Sequence, residues 1–406
     1  MRSSSAASPR RVLFFGCYDS GPGYPRVRSL RSGFESAGVE VFELREDLLP
    51  TKEARRRDLR RPLSWPKHAL RLRNGSKRLE SRLRSMLAER EFDAMVVPYP
   101  GWFSIKTARR VFDGPILLDL FLSIADTACR DRTIFRSDGL AFRALRSVDR
   151  SACELADRVL LDTPVHANRI AELLDLPSRR FDFVQIGDPE APEVAPPLPS
   201  CDDELKVVYV GTGVPLHGVE HVLDACALSK GISLTFIGGT KEQRARAQSL
   251  DVTERVEDWI DRDRLRDVFD ASHVVFGIFG SSEKAASVIP YKVVHGLAHG
   301  RVVITAETDA VQTMLAPGVD CLTAPVADPE AIARALTCLR DGPRLGELVA
   351  ARARERFDNF FAPAAIGSRL IANLASIDPL VWSGATTSRH SGPISIETRT
   401  CATSNV

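Results

Sequence analysis

One pattern constrains this chain more than any other: short apolar runs alternate with helix-compatible stretches, the alternation stops at a proline-rich segment, and then it starts again. Val12 to Gly16 is an apolar run closed by glycine, Val27 to Ala37 has helical spacing, and Val39 to Leu44 is a second apolar run. Runs this apolar, alternating with helices, predict a parallel sheet covered on both faces. The rhythm continues through Ala94–Val97, Ile116–Leu118 and Val159–Leu161, with helical stretches such as Leu140 to Ala156 between them. Gly187 to Glu204 then holds Pro189, Pro192, Pro196, Pro197 and Pro199 among acidic residues, a composition that sustains neither a helix nor a central strand. Beyond it, Val207–Val210, Leu234–Ile237, Val274–Phe276 and Val302–Thr305 begin a second alternation.

The expected fold class is therefore α/β: two Rossmann-like, doubly wound domains facing each other across a cleft. A chain of 406 residues exceeds what one hydrophobic core usually organises, which agrees with two domains. The expected boundaries are a disordered start over residues 1–10, a first domain over 11–187, a linker over 188–204 and a second domain over 205–356. Pro329 to Leu374 reads as helix, broken near Gly342-Pro343 and Phe360 to Pro363. A helix over 357–377 is expected to cross back over the domains. The Ser/Thr/Gly-rich tail over 378–406 is expected to be disordered.

No apolar run approaches the roughly 20 residues of a membrane span, and Met1 to Arg11 lacks the apolar core of a signal peptide. The expectation is a cytoplasmic protein. Eight scattered cysteines without a paired CxxC spacing suggest neither a zinc site nor a disulfide framework, and no metal or cofactor is called for. The net charge of +2 hides an asymmetry, because Lys52 to Arg90 carries 14 Lys/Arg against 4 Asp/Glu. Leu79, Leu83, Met86 and Leu87 fall at helical spacing there, so one face is apolar and the other cationic. The leading reading is a solvated helix docked on its own domain. A second is peripheral contact with anionic lipid at the inner face of the membrane. No nucleic-acid motif accompanies the charge.

In open α/β sheets, ligands bind at the carboxyl ends of the strands. Three second-domain loops fit: Gly211-Thr212-Gly213, Gly238-Gly239-Thr240 and Gly280-Ser281-Ser282-Glu283-Lys284, the last leading to a helix that carries Lys292 in its first turn. Singly each is a tight turn; together at one sheet edge they suit a diphosphate-sized anion. In the first half, Asp19 lies in a Gly/Pro loop after the first strand. Asp126 and Asp131 follow the strand ending near Asp119, where a cleft-facing carboxylate would orient or deprotonate a hydroxyl, the bland alternative being a solvated ion-pair cluster. His166, after Asp162-Thr163, reads as a cap or packing residue.

Several separated segments, in order, resemble the retaining GT-B glycosyltransferases of family 4. Val208-Tyr-Val-Gly-Thr-Gly-Val-Pro-Leu-His-Gly-Val-Glu220 is similar to the first strand and loop of the family's donor domain in its GTxxPLHGVE variant, and Ile289-Pro-Tyr-Lys-Val-Val-His-Gly-Leu-Ala-His-Gly-Arg-Val-Val-Ile-Thr305 to the block that holds the nucleotide. Tyr24-Pro25-Arg26 and the stretch through Asp119, Ser123, Asp126, Asp131 and Arg132 look like the same subgroup. The chain departs from the pattern at Thr212 and His217, which stand where an Arg and a Lys neutralise the diphosphate, and at His295, where a glutamate grips the ribose.

The resemblance implies transfer of a sugar, with retention, from a nucleoside diphosphate-sugar donor on the second domain to a saccharide or lipid-linked acceptor on the first, with polysaccharide biosynthesis as its usual setting. Donor contacts are expected from Gly211, Thr212, Gly213, His217, Gly238, Ser281, Ser282, Glu283, Lys284, Lys292 and His295, with His217 as an imidazolium partly replacing the missing base. Acceptor-side roles are expected of Asp19, Asp126 and Asp131. A nucleotide-sugar epimerase of the same fold, or a catalytically weak binding protein, are the alternatives.

Overall fold

The computed structural model describes residues 9–19, 25–46, 65–131, 134–200 and 204–383, with the side chains of 65–73 excepted. The segment Ser20 to Tyr24, Arg132 and most of the basic stretch before Trp65 lie outside the described residues, as does 384–406.

Two six-stranded sheets carry the chain. The first comprises β1 (Arg11–Gly16), β2 (Glu40–Arg45), β3 (Ala94–Val97), β4 (Ile116–Asp119), β5 (Arg158–Leu161) and β6 (Phe181–Phe183), in the order β2-β1-β3-β4-β5-β6. The second comprises β7 (Leu205–Gly211), β8 (Ile232–Gly238), β9 (Thr253–Glu257), β10 (Val274–Phe276), β11 (Val302–Ala306) and β12 (Leu322–Ala324), in the order β12-β11-β10-β7-β8-β9. Every neighbouring pair is parallel. The central strands are apolar throughout because helices cover both faces: Val12 to Phe15 and Ala94 to Val97 are wholly buried. Strand order reverses between β1 and β3 in one sheet and between β7 and β10 in the other. Such switch points open a crevice at the strand ends.

The helices used below are α1 (Pro25–Ser36), α2 (Trp65–Glu89), α3 (Pro164–Leu174), α4 (Glu283–Ser287), α5 (Tyr291–Ala298) and α6 (Pro363–Ala375). In α2, Leu79 and Leu83 are buried in the first domain's core, with Met86 and Leu87 packed beside them. Its cationic face is partly paired: Arg78 and Arg82 reach Glu46, while Arg84 and Arg110 reach Glu80. The apolar face of the described part of α2 is thus spent on its own domain. Among the described residues no helix is long and apolar enough to cross a membrane. Their six cysteines are free thiols.

The linker is strapped to the second domain. The fully buried Arg301 donates to the carbonyls of Pro196, Pro197, Ser272 and His299. Arg354 donates to those of Pro192, Glu193 and Ala298. Glu190 is held by Arg28 of the first domain and Arg262 of the second.

After the second domain the chain returns, and Ile366, Leu370, Ile371 and Leu374 of α6 join the first domain's core. At its crossing with α1, a Cβ on Gly367 would lie 2.2 Å from the Gly33 carbonyl oxygen. Backbone cannot yield as a side chain can, so Gly367→Ala is expected to destabilise by about 1–3 kcal/mol, read as a lower denaturant midpoint. Residues 378–383, expected within a disordered tail, are ordered: Asp378 caps a turn over Pro379–Trp382, and Trp382 is fully buried against the α1 and α6 core. One aromatic side chain buries enough area to hold a short segment down.

Candidate functional site

The three glycine loops of the second domain do converge at one sheet edge. Gly211 ends β7 and Gly238 ends β8, side by side, and the Gly239 N–H donates to the Gly211 carbonyl at 2.7 Å. Gly238 has φ +88°, and a Cβ there would stand 2.0 Å from the Gly211 oxygen, so only glycine lets the loops meet. On the other side, the N–H groups of Phe279 and Gly280 donate to the carbonyls of His217 and Leu216 at 3.1 and 3.2 Å. Both sides lie at the switch point.

Beneath these loops sits a polar group of three, Tyr209 and Lys292 buried and His217 half-buried. The hydroxyl of Tyr209, a fully buried residue, accepts from the Gly213 N–H and lies 3.1 Å from His217 Nδ1. Burial, with the nearby charge of Lys292, pushes the His217 imidazole down to about 2. His217 is therefore neutral and not the imidazolium expected from the sequence. Lys292 places its Nζ 4.3 Å from the centre of the Tyr209 ring. That amine has no hydrogen-bond partner, and burial pushes it down to about 7. The cation of the site is thus Lys292, supported from below by an aromatic face.

His295 stands elsewhere. Its Nδ1 is 2.7 Å from Asp188 Oδ2, its ring packs on Phe269 and His299, and both ring nitrogens are buried. A ribose hydroxyl would reach this imidazole only after the side chain turned.

Across the cleft, the residues expected to serve donor and acceptor meet one another. Lys284 donates to Asp131 Oδ2 at 3.2 Å and to Thr127 Oγ1 at 3.1 Å, while Arg130 donates to Glu283 at 3.2 Å. Arg169 of α3 grips both oxygens of Asp126 at 2.7 Å and donates to Ser287 Oγ of α4 at 3.2 Å. Thr163, the cap of α3, donates to the Ser287 carbonyl. Glu283, Lys284 and Ser282 share with Asp126, Asp131 and Arg169 a cavity of about 470 Å³ between the domains.

Pairing changes the roles expected of the carboxylates. Burial raises the Asp126 carboxyl, but the Arg169 hydrogen bonds and charge, helped by Lys284, outweigh it and hold the group below the usual carboxylate range. Asp126 is 1% exposed with both oxygens held by Arg169, so in this arrangement it is an ion-pair partner whose lowered carboxyl makes it a weak proton acceptor. Asp131 is likewise paired, leaving Lys284 bound to the first domain instead of free for a phosphate. Asp19 is exposed beyond the end of β1, Ser281 is exposed, and Ser282 lines the same cavity and caps α4.

Sequence reasoning missed one buried carboxylate of the first domain. Asp149 binds Ser123 Oγ at 2.6 Å and the N–H groups of Ile124 and Ala125, fixing the turn before Asp126; burial pushes its carboxyl up to about 6. His166, singled out in the sequence, is buried with its Nδ1 2.6 Å from Asp162 Oδ1. A larger cavity, about 760 Å³, lies under the prolines of the linker beside Leu205, Val274 and Val302, at the opposite ends of the strands from the glycine loops.

Residues 204–341 match the family model described as "Glycosyl transferases group 1". No curated protein sequence gives a significant match. Among solved structures, the chain is similar to a sucrose-phosphate synthase from Thermosynechococcus elongatus, with TM-score 0.66 and 18% identity over 91% of this chain and 98% of that one. It is similar to Anabaena HepE in complex with UDP and glucose, with TM-score 0.61 and 11% identity over 90% and 99%. A third is the lipopolysaccharide outer core galactosyltransferase WaaB, with TM-score 0.59 and 13% identity over 90% and 99%. Residues 204–341 thus match a group 1 glycosyltransferase domain, and the chain as a whole shares the two-domain GT-B fold of these solved structures.

Proposed function

We propose that the chain moves a glycosyl group from a nucleoside diphosphate-sugar, seated at the β7/β10 switch point, to a hydroxyl of a saccharide or lipid-linked saccharide held on the first domain, with the anomeric configuration retained. Lys292 carries this reading: a buried amine without a partner, beneath loops whose backbone already converges, is suited to the charge of a leaving diphosphate. The similar fold of Anabaena HepE, solved in complex with UDP-glucose, supports a donor of that class. Retention rests on the family 4 resemblance. Glycosyl transfer is tested by incubating the chain with UDP- and GDP-sugars and candidate acceptors and following nucleoside diphosphate release, with product anomers read by NMR. Conversion of donor alone into an epimeric sugar nucleotide would overturn it.

A pH dependence follows from Lys292. In the free protein its amine titrates at about 7, and a bound diphosphate favours the charged form, so the bound-state value is higher. Affinity is then full below pH 7 and falls as pH rises through the free-state value, by at most about tenfold per pH unit for one proton. Nucleotide titrations between pH 6 and 8.5, with proton uptake measured in buffers of different ionisation enthalpy, check the sign.

A further inference from the structure

We propose that Asp188, His295 and His299 bind one divalent metal ion of the zinc(II) class, and that this ion ties the interdomain linker to helix α5. The role goes beyond glycosyl transfer, because the ion would act as a structural clip at the hinge and take no part in the chemistry. His295 and His299 are four residues apart, which puts both rings on one side of α5 and its C-terminal cap. Asp188 comes from the linker. The three residues are the only group of candidate ligands among the described residues whose atoms all lie within 4.8 Å of one another. All three are buried, His299 and the Asp188 side chain completely.

The pattern of satisfied and unsatisfied atoms favours an ion over a simple pair. An Asp188–His295 ion pair, whose imidazole helps hold the Asp188 carboxyl low against the effect of burial, would account for one contact, Nδ1 to Oδ2 at 2.7 Å. It would also leave His295 Nε2 and His299 Nε2 buried and unpaired. A metal ion takes up one lone pair from each imidazole and one from the carboxylate. Each flank, moreover, is already oriented by an outer partner, the arrangement usual around bound metals. His299 Nδ1 faces Asp270 Oδ1 at 2.5 Å, which leaves Nε2 as the lone-pair nitrogen. Asp188 Oδ1 accepts from the Tyr291 hydroxyl at 2.9 Å and the Glu190 N–H at 3.1 Å, which leaves Oδ2. Phe269 packs on both imidazoles and forms an apolar wall.

Two imidazoles and a carboxylate are borderline to hard donors, suited to zinc(II), cobalt(II) or nickel(II) rather than to magnesium or calcium. Bonds to such ions are about 2.1 Å, so ligand atoms as far apart as 4.8 Å close inward by a small ring rotation on binding. A dication there balances the charges of Asp188 and Asp270.

The test uses the full chain, free of any purification tag, stripped with a chelator and dialysed against zinc(II). One equivalent should be retained at micromolar free zinc and should raise the melting temperature. His299→Ala and Asp188→Asn should each weaken retention at least tenfold, whereas His221→Ala, on another helix, should not. Failure of the folded wild type to bind, or equal binding by folded His299→Ala, would overturn the site. Should those substitutions prevent folding, cobalt(II)-loaded wild type decides: visible d–d absorption saturating at one equivalent is expected, and no such absorption would overturn the proposal. Nucleotide titrations do not enter this test, so its failure leaves the donor site untouched.

Discussion

Replacing Arg26 by Met is expected to lower the unfolding free energy by about 3–5 kcal/mol, the range for stranding one member of a buried ion pair. Arg26 is 3% exposed and Asp119 not at all. The guanidinium donates to Asp119 Oδ1 from Nε at 3.0 Å and from one terminal nitrogen at 2.8 Å, and also to the carbonyls of Leu161 and Val184. One side chain therefore joins α1 to the ends of β4 and β5 and to the residue after β6. Burial pushes the Asp119 carboxyl up even against the pull of Arg26. Without Arg26 it rises further, so the penalty is largest well above the ordinary carboxylate range and shrinks as pH falls towards about 4. Urea melts of both proteins at pH 5 and pH 7.5 give the measurement. A deficit below about 1 kcal/mol at both values would mean that the pair is not desolvated as the structure has it.

The second large effect is expected at Arg169. Arg169→Met removes the two hydrogen bonds that hold the Asp126 carboxylate ionised at 1% exposure, and it removes the Arg169 bond to Ser287 across the cleft. The loss of stability should approach about 3 kcal/mol. Burial then governs Asp126, whose carboxyl moves up, so the variant's deficit also shrinks at acid pH. Because the same residue links α3 to α4, glycosyl transfer should fall more than nucleotide binding does. Comparable losses in both would point to global damage, which a melt of the variant would show. An unchanged turnover would remove this contact from the working closed state.

Much of the scaffold was legible because parallel strands buried on both faces are apolar without interruption, as in Val207 to Tyr209 or Val302 to Ile304. The strands that escaped are short or lie at sheet edges: Phe181–Phe183, Thr253–Glu257 and Leu322–Ala324. Thr-Glu-Arg-Val-Glu at an edge carries charges and little apolar area, so no periodicity marks it. Trp382 escaped for a related reason, since one aromatic in a Ser/Thr-rich tail gives no period at all. At the site, the glycines were readable because backbone that must approach backbone admits little else. What they surround was not. Whether Lys292 meets solvent or the ring of Tyr209, and whether Asp126 is a free base or the partner of Arg169, depends on which distant segments the two sheets bring together. That pairing is a property of the assembled cleft, and for the same reason His217 was read as a cation although burial keeps it neutral.

The donor site itself is tested most directly by isothermal titration of the folded chain with UDP and with GDP at pH 6, below the value of about 7 at which the Lys292 amine titrates. One of the two nucleotides should bind with one-to-one stoichiometry, and Lys292→Met should weaken it about tenfold or more, the scale of a charge-assisted contact. Absence of binding by both nucleotides, or equal affinity in the folded Lys292→Met variant, would contradict a diphosphate seated over Lys292.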